Sequence, residues 1–203
     1  MAIGLVNWFK IFDTPPEESM VVEATGQQFL WHLRYSGEDN VLGSKSVYDI
    51  GSDNPFGMDW EDEAGLDDFK SDTLMMQLNE PILVKINSLD VLHSFYLPHF
   101  RVKMDAVPGI PTQFWFIPTK TTQEARDERD DQKFDFELAC AELCGASHFN
   151  MRRVVRVLEE DDFNAWKERQ VSLYTDLGIE EKLKEAEKAE LENNKLKGET
   201  VGI

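Results

Sequence analysis

Short strand-like segments recur along the chain between residues 20 and 158. Residues 28–35 show the clearest pattern, because apolar and polar side chains alternate there as in a strand with one buried face. The other segments are residues 20–25, 74–78, 81–86, 113–117, 134–138 and 154–158. Many short strands separated by Gly and Pro favour a mainly β fold, a β-sandwich or barrel, over repeated βαβ units.

Two strongly acidic stretches interrupt the strands, at residues 59–72 and 124–131. We expect each to be a solvated loop or a short exposed helix, since connecting segments are mostly polar and exposed. An acidic docking face for a basic protein is the alternative. The whole chain has a formal net charge of −18, which argues against a nucleic-acid partner and favours a cationic one.

The N-terminal stretch, which closes at Pro15 and Pro16, is typical of a short amphipathic or juxtamembrane lead. It lacks the basic start of a secretory signal peptide, and its apolar run is too short to span a bilayer. From the sequence as printed, we therefore expect it to act neither as an export signal nor as a membrane anchor.

The C-terminal part changes from a strand pattern to a helical one. Acidic residues 159–162 offer N-cap chemistry to a helix that would pack Phe163 and Trp166 on the sandwich. Residues 179–196 are rich in Glu and Lys, which predicts a charged surface helix or a frayed tail. The sequence is therefore divided into residues 1–18, 19–158 and 159–203.

Two cysteines, Cys140 and Cys144, lie four residues apart and are followed by His148 and Met151. Thiolate and imidazole groups together favour copper or zinc. The thioether favours copper, because it is a common weak axial copper ligand but a poor zinc ligand. Such a set is typical of electron transfer rather than hydrolysis. A Cys2His2 zinc site, a disulfide and inert thiols remain alternatives.

A further ligand must come from another part of the chain, and the candidates are His32, His93 and His99. His93 follows Asp90-Val91-Leu92 at a predicted strand end, which a β-sandwich can bring beside a C-terminal ligand loop. His32 lies within an alternating strand and His99 follows a proline, so both are interpreted as structural or surface histidines. We choose His93 as the ligand.

These segments resemble the CuA domain of cytochrome c oxidase subunit II. The similarity is carried by Asp-Val-Leu-His-Ser-Phe at residues 90–95, Val-Lys-Met-Asp-Ala-Val-Pro-Gly at 102–109 and Cys-Ala-Glu-Leu-Cys-Gly at 140–145, in that order. It extends more weakly to Gly-Gln-Gln-Phe-Leu-Trp at residues 26–31. The resemblance implies a cupredoxin-like Greek-key β-sandwich with a C-terminal helical extension, and a CuA domain over residues 19–158.

The resemblance also implies a centre of two copper ions. Both thiolates, Cys140 and Cys144, would bridge the ions, and His93 and His148 would each bind one of them. Met151 would be an axial ligand, and the backbone carbonyl of Glu142 a weak ligand. The Glu142 side chain would reach a magnesium or manganese ion at the interface with the catalytic subunit.

Further residues are assigned to the interface and to the route by which electrons arrive. Lys103 and Asp105 would lie close to the interface with the catalytic subunit. Members of this family usually carry a Trp, thought to admit the electron, at the position that Phe29 occupies here, and Trp31 aligns with a later aromatic residue of that strand. We therefore mark Phe29 and Trp31 as the region of electron arrival.

The implied function is electron transfer in a proton-translocating respiratory oxidase. Electrons would come from cytochrome c or a tethered c-type cytochrome domain. They would pass to a haem–copper catalytic subunit that reduces oxygen to water, in a complex with other oxidase subunits on the periplasmic or intermembrane face of the membrane. Family members carry two transmembrane helices before this domain, and the printed sequence shows none. A copper chaperone or storage cupredoxin without oxidase activity is the alternative.

Overall fold

The computed structural model describes residues 2–11, 13–51, 54 and 56–199. Ten strands dominate the described part of the chain: β1 (Met20–Gln27), β2 (Leu30–Tyr35), β3 (Phe69–Ser71), β4 (Thr73–Gln77), β5 (Ile82–Ser88), β6 (His93–Leu97), β7 (Val102–Ala106), β8 (Thr112–Phe116), β9 (Phe136–Cys140) and β10 (Arg152–Leu158). The helices are α1 (Ala2–Ile11), α2 (Thr122–Arg129), α3 (Glu160–Lys167), α4 (Leu173–Asp176) and α5 (Ile179–Glu199).

The strands form two five-stranded sheets, in the orders β3-β2-β1-β5-β8 and β4-β10-β9-β6-β7. Within them β1 runs parallel to β5 and β4 runs parallel to β10, whereas the other neighbours are antiparallel. Strands distant in sequence are therefore neighbours in both sheets. This is the cupredoxin-like β-sandwich, followed by helices, that the family resemblance implied.

One apolar core lies between the two sheets. Alternate residues of β1 and β2 point into it, among them Ala24, Trp31 and Leu33. Phe95 and Leu138 enter it from the second sheet, and all five side chains are at most 1% exposed. The period-two pattern of the strands thus gives each sheet one buried inner face.

The outer face of β2 is covered by the connection between β2 and β3. Arg34 points to this face and is only 2% exposed. Its guanidinium donates to Asp68 Oδ2 at 2.8 Å, to Glu23 Oε2 at 2.9 Å and to the Gly43 carbonyl at 3.0 Å. Lys45 also pairs with Glu23. Arg34 therefore ties the connection to the sheet by a buried network of charges.

The two carboxyl groups of this network differ in their pKa values. Burial opposes the ionisation of Glu23, but Arg34 and Lys45 together hold its pKa below the usual value. Burial raises the pKa of Asp68 to about 7 against the opposing charge of Arg34. Asp68 Oδ1 is buried and has no hydrogen-bond partner, which agrees with the poor solvation of this carboxyl group.

The prediction of a solvated loop at residues 59–72 was wrong at its C-terminal end. Asp68 is fully buried, and the next residue, Phe69, begins β3 and stacks on Tyr35 with ring centroids 5.0 Å apart. The acidic composition of the stretch gave no sign that Asp68 would be buried or that a strand would begin at Phe69. The second acidic stretch is a short exposed helix, as predicted, and α2 starts with a capping box between Thr121 and Glu124.

The predicted helix after β10 is confirmed as α3. Phe163 is buried, and Trp166 packs edge-on against Tyr35 with centroids 5.3 Å apart. The N-cap prediction was wrong, because Glu159 occupies that position without a side-chain hydrogen bond. Residues 179–196 are helical within α5, as predicted.

The N-terminal lead forms the short helix α1, whose Ile3, Leu5, Trp8 and Phe9 are exposed. After it, Trp115 of β8 donates from Nε1 to the Asp13 carbonyl at 2.7 Å. Among the described residues, no helix combines the length and the apolar character needed to cross a bilayer.

Candidate metal centre

The centre is built where β6 begins and β9 ends. These two strands are antiparallel neighbours, with Phe95 opposite Cys140. His93 lies two residues before Phe95 and therefore shares its inward face. The side chains of His93 and Cys140 consequently point into the same end of the sandwich, where His93 is fully buried.

The remaining sulfur and imidazole groups come from the loop between β9 and β10. Backbone hydrogen bonds close this loop on itself: Cys140 N donates to Met151 O at 3.2 Å, and Met151 N donates to His148 O at 3.1 Å. A 3₁₀ turn at His148–Asn150 folds the His148 ring back toward the cysteines. Cys144 and Met151 are buried, and His148 is half-buried.

Five side-chain donor atoms converge at this end of the sandwich. The two cysteine Sγ atoms are 4.0 Å apart. His93 Nδ1 lies 3.8 Å from Cys140 Sγ, and His148 Nδ1 lies 3.6 Å from Cys144 Sγ. Met151 Sδ is 3.8 Å from Cys144 Sγ. Both thiols are free, and 4.0 Å is about twice the length of a disulfide bond, so the structure holds them as separate donors.

The backbone carbonyl oxygen of Glu142 also faces the cluster, 3.1 Å from Cys140 Sγ, whereas the Glu142 side chain is exposed. Burial and the neighbouring Cys140 thiol raise the pKa of Cys144 to about 11. A buried thiol crowded against a second sulfur resists ionisation unless a cation compensates its charge. The chemistry of this donor set therefore fits a soft metal ion, whose binding would displace the thiol protons.

A carboxylate fixes the orientation of the His93 ring. Asp90 Oδ1 lies 2.8 Å from His93 Nε2. Burial opposes ionisation of Asp90, but hydrogen bonds from the Gln28 backbone and His93 hold its pKa below the usual value. Because an ionised carboxylate can only accept, Nε2 carries a proton, and the other ring nitrogen, Nδ1, faces Cys140.

Gly26 has no side chain, and the His93 ring packs against it where a side chain would otherwise lie. A Cβ atom at this position would lie 2.8 Å from His93 Cδ2 and 3.2 Å from Trp31 Cζ3. We expect Gly26→Ala to displace the ring and to lower the free energy of unfolding of the metal-free protein by about 2 kcal/mol, the usual cost of overpacking. Gly51→Ala is the control, since a Cβ there meets none of the described residues within 4 Å. Denaturant titration measures both, and equal stabilities would contradict the prediction.

The residues assigned to electron arrival lie on either side of the β1–β2 turn. Trp31 is fully buried and meets His93 edge-on, with ring centroids 6.0 Å apart. Phe29 is half-buried and lies against Gly145, because a Cβ on that glycine would be 2.9 Å from Phe29 Cε1. Both rings therefore contact residues of the cluster or of its loop.

The two residues assigned to the subunit interface lie on β7. Lys103 and Asp105 are both exposed. Asp105 accepts a hydrogen bond from Ser94 Oγ at 2.7 Å, and Ser94 directly follows His93. Asp105 is thus connected to the strand that carries the imidazole, at the same end of the sandwich.

The other two candidate histidines have different surroundings. His32 bonds to Gln27 Oε1 at 2.7 Å and meets Phe56 edge-on. His99 packs between Phe134 and Phe136. Within the part of the chain that the structure describes, the His/Cys/Asp/Glu group with ligand atoms within 4.8 Å of one another comprises His93, Cys140 and Cys144. Neither His32 nor His99 belongs to it.

Sequence reasoning missed two residues that support the cluster, Asp90 and Gln28. Asp90 stands in the segment that drew attention to His93, and a carboxylate three residues before a ligand histidine was an available signal. Gln28 donates from Nε2 to the Cys144 carbonyl, a residue far away in sequence. No local pattern indicates that contact.

A sandwich of two five-stranded sheets with free thiols, imidazoles and a thioether at one end defines a cupredoxin-like, metal-binding class of domain. A family model described as cytochrome c oxidase subunit II, periplasmic domain, matches residues 20–158. The chain belongs to this family, as the sequence motifs predicted.

Two relatives illustrate the similarity. The chain is 41% identical over 172 residues to the alternative cytochrome c oxidase subunit 2 of Bradyrhizobium diazoefficiens, covering 84% of this chain and 57% of that protein. It is 36% identical over 184 residues to cytochrome c oxidase subunit 2 of Cereibacter sphaeroides, covering 83% and 56%. The chain thus spans little more than half the length of these relatives.

A solved structure supports the fold independently. The periplasmic domain of subunit II of cytochrome oxidase (CoxB) of Bradyrhizobium japonicum is 27% identical in sequence, with a TM-score of 0.51. The match covers 76% of this chain and 95% of that domain. The sandwich described above is therefore the fold of a periplasmic oxidase domain.

Proposed function

We propose that this chain carries a CuA centre and serves as the electron-accepting subunit of a respiratory terminal oxidase. The observation that carries the proposal is the convergence of five soft or borderline donors, from His93, Cys140, Cys144, His148 and Met151, at one buried end of the sandwich. Two thiolates shared between two imidazoles suit a pair of copper ions better than one tetrahedral zinc, which would leave the thioether unused.

Each donor has a defined part in holding the metal. Cys140 Sγ, Cys144 Sγ and the Nδ1 atoms of His93 and His148 would hold the copper ions, and Met151 Sδ and the Glu142 carbonyl would supply weaker ligands. When bound, the copper pair supplies reversible one-electron chemistry. The protein supplies a rigid cage, since three of the side chains belong to a loop closed by its own hydrogen bonds. Rigidity keeps reorganisation small as the electron arrives and leaves.

The proposed partners follow from the family and from the charge of the chain. The donor would be cytochrome c or a tethered c-type cytochrome domain, because a net charge of −18 attracts a cationic partner and raises the association rate. The acceptor would be the haem–copper subunit that reduces oxygen to water, within a proton-translocating complex containing other oxidase subunits. The relatives named above are subunits 2 of cytochrome c oxidases.

The position of the domain in such a complex follows the same reasoning. The exposed Glu142 carboxylate could bind magnesium or manganese shared with the catalytic subunit, near Lys103 and Asp105. The CuA domain would extend over residues 19–158 at the periplasmic or intermembrane face, with residues 1–18 as a juxtamembrane lead and residues 159–203 as a charged tail.

The test is a metal count combined with electron paramagnetic resonance on the copper-loaded chain. We expect two coppers per chain and the signal of one unpaired electron shared by both nuclei. A single copper ion per chain, or zinc as the only bound metal, would contradict the proposal. Rapid reduction by a c-type cytochrome that slows with added salt is also expected, whereas a two-copper chain that no c-type cytochrome reduces would favour the chaperone or storage alternative.

A further inference from the structure

The turn between β1 and β2 reaches across the open end of the sandwich to the metal-binding loop. The side-chain amide of Gln28 donates from Nε2 to the Cys144 carbonyl. The next ring, Phe29, lies against Gly145, the residue after Cys144. A turn of the first sheet is therefore in contact with a loop that connects two strands of the second.

The same residue also makes a contact on the His93 side of the centre. The Gln28 backbone N–H donates to Asp90 Oδ2 at 2.7 Å. The other oxygen of that carboxylate, Oδ1, bonds to His93 Nε2 at 2.8 Å and to the Val91 N–H at 2.7 Å. A continuous series of hydrogen bonds thus runs from His93 through Asp90 and Gln28 to Cys144.

The loop that carries Cys144 needs such an external contact. Its residues Leu143, Gly145 and Ala146 are exposed, so little apolar burial fixes the peptide groups on either side of the cysteine. Gly145 has a φ of +140°, in the region that favours glycine. A hydrogen bond from outside the loop therefore restrains a segment that its own packing restrains weakly.

We infer that Gln28, which follows β1 of the first sheet, is a positioning residue of the metal centre: it fixes the Cys144 loop relative to the His93 strand of the second sheet and so sets the separation of the two halves of the donor cluster. This inference rests on the proposed copper centre for its functional meaning, but the restraint itself exists in the metal-free chain. Gln28 touches no donor atom directly. It acts through the Cys144 carbonyl and through Asp90.

The restraint is tested in the metal-free protein by the alkylation rate of each thiol. Gln28→Met keeps the length of the side chain and removes its amide donor. We expect Cys144 to be alkylated about five-fold faster, which is the factor that one ordinary hydrogen bond contributes to a local opening equilibrium. Cys140 belongs to β9 and should change less, so site-resolved mass spectrometry provides an internal reference.

Gln27→Met is the matched control. Gln27 carries the same amide one residue earlier but pairs with His32, and its replacement should leave the Cys144 rate unchanged. Gln28→Glu is a second variant, which also removes the donor and preserves the side-chain length if the Met variant fails to fold. An unchanged Cys144 rate in a folded Gln28 variant, or an equal rise in Gln27→Met, would overturn the inference.

The copper-loaded protein offers two further measurements, the hyperfine pattern and the midpoint potential, which a general loss of stability would not change. In folded Gln28→Met we expect a broadened or split hyperfine pattern and a shifted midpoint potential, both absent from Gln27→Met. A spectrum and potential identical to those of the unsubstituted chain would also overturn the inference. If the unsubstituted chain itself showed no two-copper signal, the proposed function would fail, while the alkylation rates would still decide the role of Gln28.

Discussion

Cys144→Ser abolishes the two-copper signal and lowers the bound copper from two ions per chain to one at most: this is the largest functional effect that we expect. Cys144 Sγ lies within 4.0 Å of three other donors, Cys140 Sγ, His148 Nδ1 and Met151 Sδ. A serine hydroxyl is a hard and weakly acidic group, so it cannot replace a thiolate that would hold soft ions. The measurement is copper analysis together with electron paramagnetic resonance.

The appropriate control separates loss of a ligand from loss of the fold. His99→Gln removes an imidazole that packs between two phenylalanines and should retain both coppers, whereas His148→Gln should not. Far-ultraviolet circular dichroism should be unchanged in Cys144→Ser, because the substitution alters one atom of a loop side chain. A normal two-copper spectrum in folded Cys144→Ser would refute the ligand assignment.

Arg34→Met should cause the largest loss of stability, about 3–5 kcal/mol in the free energy of unfolding of the metal-free chain. The substitution preserves the apolar volume but removes the cation between Glu23 and Asp68. The side chains of these two residues are 3% and 0% exposed, respectively. Both carboxyl groups would then lack the guanidinium that they share, although Glu23 would keep Lys45 and the Asn87 amide, and Asp68 the Gly43 N–H. Denaturant titration at neutral pH measures the change.

An exposed arginine provides the comparison for this prediction. Arg152 pairs with Glu137 at 3.4 Å, and the two side chains are 62% and 45% exposed. Arg152→Met should therefore cost less than about 1 kcal/mol, as is usual for surface ion pairs. If Arg34→Met cost no more than Arg152→Met, the buried network could not be what attaches the β2–β3 connection to the sheet.

The strands could be predicted wherever apolar residues alternate locally. The predicted segments at 74–78, 81–86, 113–117 and 154–158 coincide closely with β4, β5, β8 and β10. β9 begins two residues later than predicted, at Phe136; Phe134 lies before the strand and packs on His99. β3 was missed, since three residues within an acidic stretch give no periodic signal.

The residues of the candidate site likewise fall into those that the sequence reveals and those that only the folded structure reveals. Cys140, Cys144, His148 and Met151 could be recognised because they lie in one short segment with distinctive chemistry. His93 could be placed only through its motif and the resemblance. The contacts of Gln28 with Cys144, 116 residues apart, and of Arg34 with Asp68, 34 apart, depend on tertiary folding, so spacing in the sequence does not predict them.

The loop between β9 and β10 has a consequence for how such domains change over time. The loop contributes three of the five side-chain donors, Cys140 at the end of β9 directly precedes it, and the strands at its two ends are paired with each other. Most of the donor set therefore lies in one short segment between two paired strands. Exchange of this loop could convert a sandwich that binds one copper ion into one that binds two. It could also abolish metal binding, while the rest of the chain kept its sequence and its fold.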